Sequence, residues 1–209
     1  MSQMVRFNLC LHCTNITMEL KRLTDEEFDS LYPIKIKKLS GTHWTPVDVA
    51  KKAIAFLAQE GGQAVLDLGS GAGKFCLVAA ANSEAILTGV EQRENLVQLS
   101  RKLALQHLIE NVDFIHDDLQ NLDFGSFDAF YFFNAFEENI NLKDKLDKDD
   151  SINLDKYHTY ILRILEKFER MPAGTRIVTY CGDAKEIPDS YRLVKSGNKG
   201  KLKFWRKEL

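Results

Sequence analysis

The sequence predicts an α/β fold: a doubly wound, mostly parallel sheet with a C-terminal antiparallel hairpin, preceded by N-terminal helices. Three observations predict it. From residue 64 onward, short apolar runs alternate with segments of helical periodicity, the pattern of parallel strands covered on both faces by crossover helices. A glycine-rich turn, Gly69-Ser-Gly-Ala-Gly73, joins the first such run to the first such helix. The last stretch instead alternates apolar and polar residues on either side of Ser196-Gly-Asn-Lys-Gly200, which is hairpin patterning.

The elements follow in order. Thr24 with Glu27 three residues on is a capping-box signature that opens helix within 24–39, and Pro33 breaks or restarts it. A second helix is expected with Thr45 as its N-cap and Pro46 as its first residue. Val49, Ala53, Phe56 and Leu57 carry its periodicity, and Gly61-Gly62 mark its stop. Strands are then expected over 64–68, 85–90, 112–116, 127–133 and 175–180. Helices are expected over 74–81, 93–107 and 157–170, the last stopped by Met171-Pro172. Residues 191–195 and 201–206 form the hairpin strands, and the polar run 141–150 reads as a solvated loop. The expected organisation is a helical extension or lid over 1–60 and a main domain over 61–209.

Composition narrows the function classes. A chain of 209 residues with 44% hydrophobic content can bury one sizeable core. Its 28 Lys+Arg against 30 Asp+Glu leave a net charge of −2, which argues against a dedicated nucleic-acid binder. No apolar run reaches the roughly eighteen residues of a membrane span. The first twenty residues are interrupted by His12, Asn15 and Glu19 and lack a basic start, so no signal peptide is read and a cytoplasmic location is expected. Cys10, Cys13, Cys76 and Cys181 are too sparse for a disulfide scaffold. Cys10-Leu-His-Cys13 has metal-ligand spacing without a second ligand pair, so no metal site is expected.

The chemistry concentrates at the glycine turn. Three glycines at alternate positions allow a tight turn and let a ligand lie against backbone, while the helix start behind them favours electron-rich groups. A dinucleotide fingerprint needs glycine or alanine at the sixth position from Gly69, where Lys74 stands. A P-loop needs Ser or Thr after Lys74, where Phe75 stands, and glycine where Leu68 stands. What remains is Asp67-x-Gly-x-Gly-x-Gly73, and VLDLGSGAGKF resembles the first motif of the class I, Rossmann-like S-adenosylmethionine-dependent methyltransferases. Glu91 at the end of the second strand, Asp117-Asp118 after the third and Asn134 after the fourth extend the resemblance over roughly 60–206.

The resemblance implies S-adenosylmethionine as cofactor and a methyltransferase domain over 61–209. It implies that Asp67 and Gly69 meet the methionine amino group, that Ser70, Gly71 and Gly73 line the cofactor, and that Glu91 binds the ribose. Gln92 would lie against the adenine, Asp118 or Asp117 would meet its amine, and Leu119 would border it. Asn134 is the candidate acceptor-side catalytic residue. The segment Phe132-Phe-Asn-Ala-Phe136 lacks the Pro-Pro-Tyr of nucleobase and amide N-methyltransferases. It is partly similar to non-SET histone-lysine methyltransferases, which also share the Asp67–Gly73 and Gly89-Val-Glu91 features. A small-molecule or protein nitrogen or oxygen is therefore the expected acceptor. His43 and Trp44 could belong to a lid or to a staple before the second helix. The tail from Lys195 to Lys207, with Phe204 and Trp205 among its basic residues, keeps an RNA methyltransferase as the alternative. A non-catalytic S-adenosylmethionine-binding module is the second alternative.

Overall fold

A computed structural model describes residues 20–38, 44–133, 154–182 and 184–209. His43, the Cys10–Cys13 segment, Asn134 and the polar run 141–150 lie outside the described residues. Two short helices, α1 (Asp25–Asp29) and α2 (Ile34–Lys37), precede α3 (Val47–Leu57). There follow β1 (Ala64–Leu68), α4 (Lys74–Asn82), β2 (Ile86–Glu91), α5 (Glu94–Gln106) and β3 (Val112–His116). After a 3-10 turn at Phe124–Ser126 come β4 (Ala129–Phe133), α6 (Leu154–Glu169), β5 (Arg176–Tyr180), β6 (Tyr191–Gly197) and β7 (Leu202–Lys207).

The seven strands form one sheet in the order β3-β2-β1-β4-β5-β7-β6. The first five are parallel, and β7 runs antiparallel to both β5 and β6, as the hairpin patterning predicts. Strand order reverses between β1 and β4, so the C-terminal ends of β1, β2 and β4 meet at the switch point where such sheets bind ligands.

Side-chain alternation divides the core between the two faces. Val65 of β1 with Ala129 and Tyr131 of β4 face one cluster, which also holds Phe28, Trp44, α3 and α4. Leu66, Leu68, Phe130 and Phe132 face the other, against Phe124, Ile164 and Phe168. Helix α4 is buried along nearly all its length, from Lys74 to Ala81, because the sheet covers one side and α3 the other. That burial explains why KFCLVAAA is apolar all round rather than striped.

Two sequence expectations about α3 are corrected. Thr45 is not the N-cap; Pro46 takes that position, and the Thr45 hydroxyl is instead bonded to the Tyr131 hydroxyl at 2.7 Å. The orphan N–H of Val47 donates to Asp25 Oδ1 of α1 at 2.9 Å, so the cap comes from another helix. The helix ends at Leu57 rather than at Gly61-Gly62, and Gly62 (φ +78°) instead turns the chain into β1. The capping box at Thr24 is present as expected, with Glu27 N–H donating to Oγ1 and Glu27 accepting from Thr24 N–H at 2.8 Å. No described helix is long and apolar enough to cross a membrane.

Candidate cofactor site

The glycine turn leaves β1 at the switch point. Gly69, Gly71 and Gly73 all have positive φ (+76°, +54° and +80°), the region that L side chains avoid. Two bonds pin the turn: Ser70 N–H donates to Val90 O, and Gly73 N–H to Ser70 O, both at 2.8 Å. The glycines differ in what surrounds them. A methyl group on Gly73 would come within 2.7 Å of Phe114 and Ser100, whereas on Gly71 it would meet open space. Gly73 therefore serves packing, and Gly71 fronts open space. Gly89 in β2 completes the cradle, because a methyl there would strike Ser70 at 2.7 Å. The Ser70 hydroxyl is buried and has no hydrogen-bond partner among the described residues, an orphaned polar atom in the wall of the turn.

Two acids stand beside the turn. Asp67, on β1, is buried and accepts a bond from Cys76 Sγ at 3.3 Å. Burial pushes its carboxyl up to about 7; the Cys76 bond opposes this and the charge of Glu91 adds to it. The Cys76 thiol is itself pushed up, by burial first and by Asp67 next. Glu91 ends β2 at 5% exposure. Its Oε1 accepts from Arg93 N–H and Nε, both at 2.9 Å, and its Oε2 from Gly71 N–H at 3.0 Å and Arg93 Nη2 at 3.2 Å. The sequence reading missed Arg93 as the partner of Glu91.

The loop after β3 closes the next side. Asp117 N–H donates to Glu91 O at 3.3 Å, bringing this loop to the end of β2. Asp117 Oδ1 accepts from Asp118 N–H at 2.6 Å and from Asn121 Nδ2 at 2.8 Å, and these bonds, Asn121 first, hold its carboxyl below the usual range. Asp118 Oδ1 accepts from Gln120 N–H at 2.9 Å, and Leu119 is buried beneath. Gln92 is exposed, and its carbonyl lies 2.9 Å from His116 Nε2. Both aspartates thus help to build the loop.

On the β4–β5 side, Tyr131 stacks on Phe75 at 3.6 Å between ring centroids, and Phe133 meets Tyr180 at 5.2 Å. Trp44 is buried, packed on Tyr32 at 4.4 Å, and so forms part of the core. Beneath it the Lys74 ammonium lies between Asp25 and Asp29 at 2.6 and 2.7 Å. None of these three charged residues was singled out for a role by the sequence reading. A lysine opening an otherwise apolar helix was the available signal.

The turn, its open front at Gly71, the buried acids at two neighbouring strand ends and the third-strand loop fit a nucleoside that carries a charged amino-acid chain. The comparisons agree. The profile of a methyltransferase-domain family matches residues 59–205. A 23S rRNA (uracil(1939)-C(5))-methyltransferase, RlmD of Shewanella frigidimarina, is 26% identical over 146 residues, 70% of this chain and 28% of that protein. The chain thus spans under a third of that relative. Among solved structures, TrmN from Thermus thermophilus covers 82% of this chain and 52% of its own, at 16% identity and a TM-score of 0.57. A mutant of MtNAS solved with S-adenosylmethionine covers 97% of this chain and 75% of its own, also at 16% identity, with a TM-score of 0.55. At these identities the structures show the fold, and the family match carries the assignment: the chain belongs to the methyltransferase-domain family, with a class I, Rossmann-like sheet.

Proposed function

We propose that the protein methylates a nitrogen or oxygen of a small molecule or protein in the cytoplasm. In this reading Asp67 and Gly69 receive the methionine amino group, and Ser70, Gly71 and Gly73 line the donor. Glu91 accepts from the ribose hydroxyls. Gln92, Leu119 and one of Asp117 and Asp118 border the adenine, and Asn134 stands on the acceptor side. Bound S-adenosylmethionine supplies an electrophilic methyl group on a sulfonium; the protein's part is to align the acceptor and exclude water.

The observation that carries the acceptor class is electrostatic. Asp25 and Asp29 pair with Lys74 at the start of α4, and Glu91 pairs with Arg93 at the end of β2, so both cations beside the turn are already neutralised. Such a site favours a neutral or cationic acceptor over a polyphosphate backbone. One observation favours RNA instead: Tyr180 pairs with Leu202, so the β6–β7 turn with exposed Lys199 and Lys201 lies at the same end of the sheet. The relative RlmD, a 23S rRNA methyltransferase, bears on this second reading.

The test is transfer of labelled methyl groups from S-adenosylmethionine to a cell extract, followed by fractionation. Label in small molecules or in protease-sensitive material supports the proposal. Label confined to nuclease-sensitive material establishes the RNA reading, and absence of transfer from a bound donor supports a non-catalytic module.

A further inference from the structure

We propose that Lys74, Asp25 and Asp29 form a clamp through which helix α1 positions the glycine turn for S-adenosylmethionine, so that residues outside the family's matched segment belong to the cofactor machinery.

Lys74 is the first residue of α4 and is only 4% exposed. An ammonium there is doubly unfavourable: it is buried, and it sits at the positive end of the helix dipole. Its presence is compensated by two carboxylates, both from α1: Asp25 Oδ1 at 2.6 Å and Asp29 Oδ1 at 2.7 Å. The Trp44 ring covers the ammonium, its centroid 5.6 Å away. Asp25 Oδ1 also accepts the Val47 N–H that opens α3. One carboxylate therefore ties the starts of α3 and α4 together, and the neighbouring Thr45 bonds to Tyr131 of β4.

This network reaches the cofactor turn through the backbone. Lys74 directly follows Gly73, whose left-handed conformation (φ +80°) ends the turn. Where Lys74 is held determines where the turn ends and how its N–H groups point. Two residues further along the same helical turn, Cys76 bonds to Asp67. The first turn of α4 is thus fastened to α1 at one residue and to the Asp67 carboxylate at another. Asp25 and Asp29 precede residue 59, where the family match begins. Lys74, Asp25 and Asp29 are positioning residues: they act on the donor through the turn.

Calorimetric titration of the full chain with S-adenosylmethionine tests the clamp, beside thermal unfolding. Asp29→Asn is expected to weaken binding about tenfold. Because an uncompensated Lys74 can prevent folding, a second variant, Lys74→Met with Asp29→Leu, fills the same space without charge and leaves Asp25 to cap α3. It is expected to unfold within a few degrees of the parent yet bind at least about tenfold more weakly. A folded apolar variant that binds like the parent overturns the proposal. A third measurement needs no variant. Coupling is reciprocal, so saturating S-adenosylmethionine should slow amide exchange in 28–32 of the parent protein together with 70–77. Protection confined to the turn, with the amides of 28–32 unchanged, also overturns it.

Discussion

Asp67 offers the most exacting test of how this site holds its cofactor. Its carboxyl is pushed from the usual value of 3.8 to about 7, chiefly by burial. Ionising it in the folded protein rather than in the unfolded chain costs about 4 kcal/mol. The sign follows from proton counting. Between about pH 4 and about pH 7 the folded state holds a proton that the unfolded chain has lost, so Asp67 stabilises the free protein at low pH and that contribution disappears as pH rises to about 7. Cofactor binding should run the other way. An ammonium placed against Asp67 favours the carboxylate, so binding below pH 7 must expel the proton.

The dissociation constant then scales as one plus ten to the power of 7 minus pH. Relative to its plateau, binding should be weaker by about tenfold at pH 6 and about thirtyfold at pH 5.5. Titrations should stay below about pH 7.5, where a ligand amine begins to lose its own proton. Calorimetry in buffers of different ionisation enthalpy should find close to one proton released per ligand at pH 6. S-adenosylhomocysteine, with the same amino group, should reproduce the slope. 5′-Methylthioadenosine, which lacks it, should not, and Asp67→Asn should abolish the slope for all ligands. A flat affinity between pH 5.5 and 7, with no proton release, would refute the placement of the amino group at Asp67.

Other perturbations separate packing from ligand contact. Gly73→Ala should cost about 3 kcal/mol, lowering the melting temperature by roughly 6–12 °C, because its methyl meets Phe114 and Ser100 in a left-handed backbone. Gly71→Ala, strained but facing open space, should cost only about 1 kcal/mol and show its main effect as lost cofactor affinity in titration. Arg93→Ala frees bonds on both oxygens of Glu91, so S-adenosylmethionine should bind a few-fold more tightly. Weaker binding would mean that Arg93 itself serves the donor. Thr45→Val strands the buried Tyr131 hydroxyl and should cost about 1–3 kcal/mol in denaturant unfolding, with part recovered on adding Tyr131→Phe. Equal additive losses would sink the pairing.

The positions that were legible in the sequence are those that depend on near neighbours. Asp67, the glycine turn and Glu91 sit at strand ends, and strand ends follow from local periodicity plus the rule that α/β sheets carry ligands at the switch point. The hairpin was legible for the same reason, since alternation and a glycine turn are local properties. Thr45 shows where local reasoning stops. Its position before Pro46 satisfies every cap preference, yet the capping acceptor is Asp25, 22 residues before the Val47 N–H it receives, and the hydroxyl goes to Tyr131, 86 residues downstream. Neither partner can be found by spacing.

Lys74 presents the same limit with a larger consequence. By local rules a lysine opening a buried helix is a misplacement, because burial and dipole both oppose it. Such a conflict signals that compensation exists somewhere in the fold without saying where. Here it comes from α1, 45 residues earlier for Asp29, and it joins a short helix with little core of its own to the glycine turn. The same sequence features that exclude a dinucleotide fingerprint and a P-loop, Lys74 followed by Phe75, are therefore structurally productive. Lys74 fastens the turn from outside, and Phe75 stacks on Tyr131 to carry that anchorage across to β4. A charge that breaks two familiar motifs is, in this fold, the point at which the N-terminal helices and the cofactor turn become one unit.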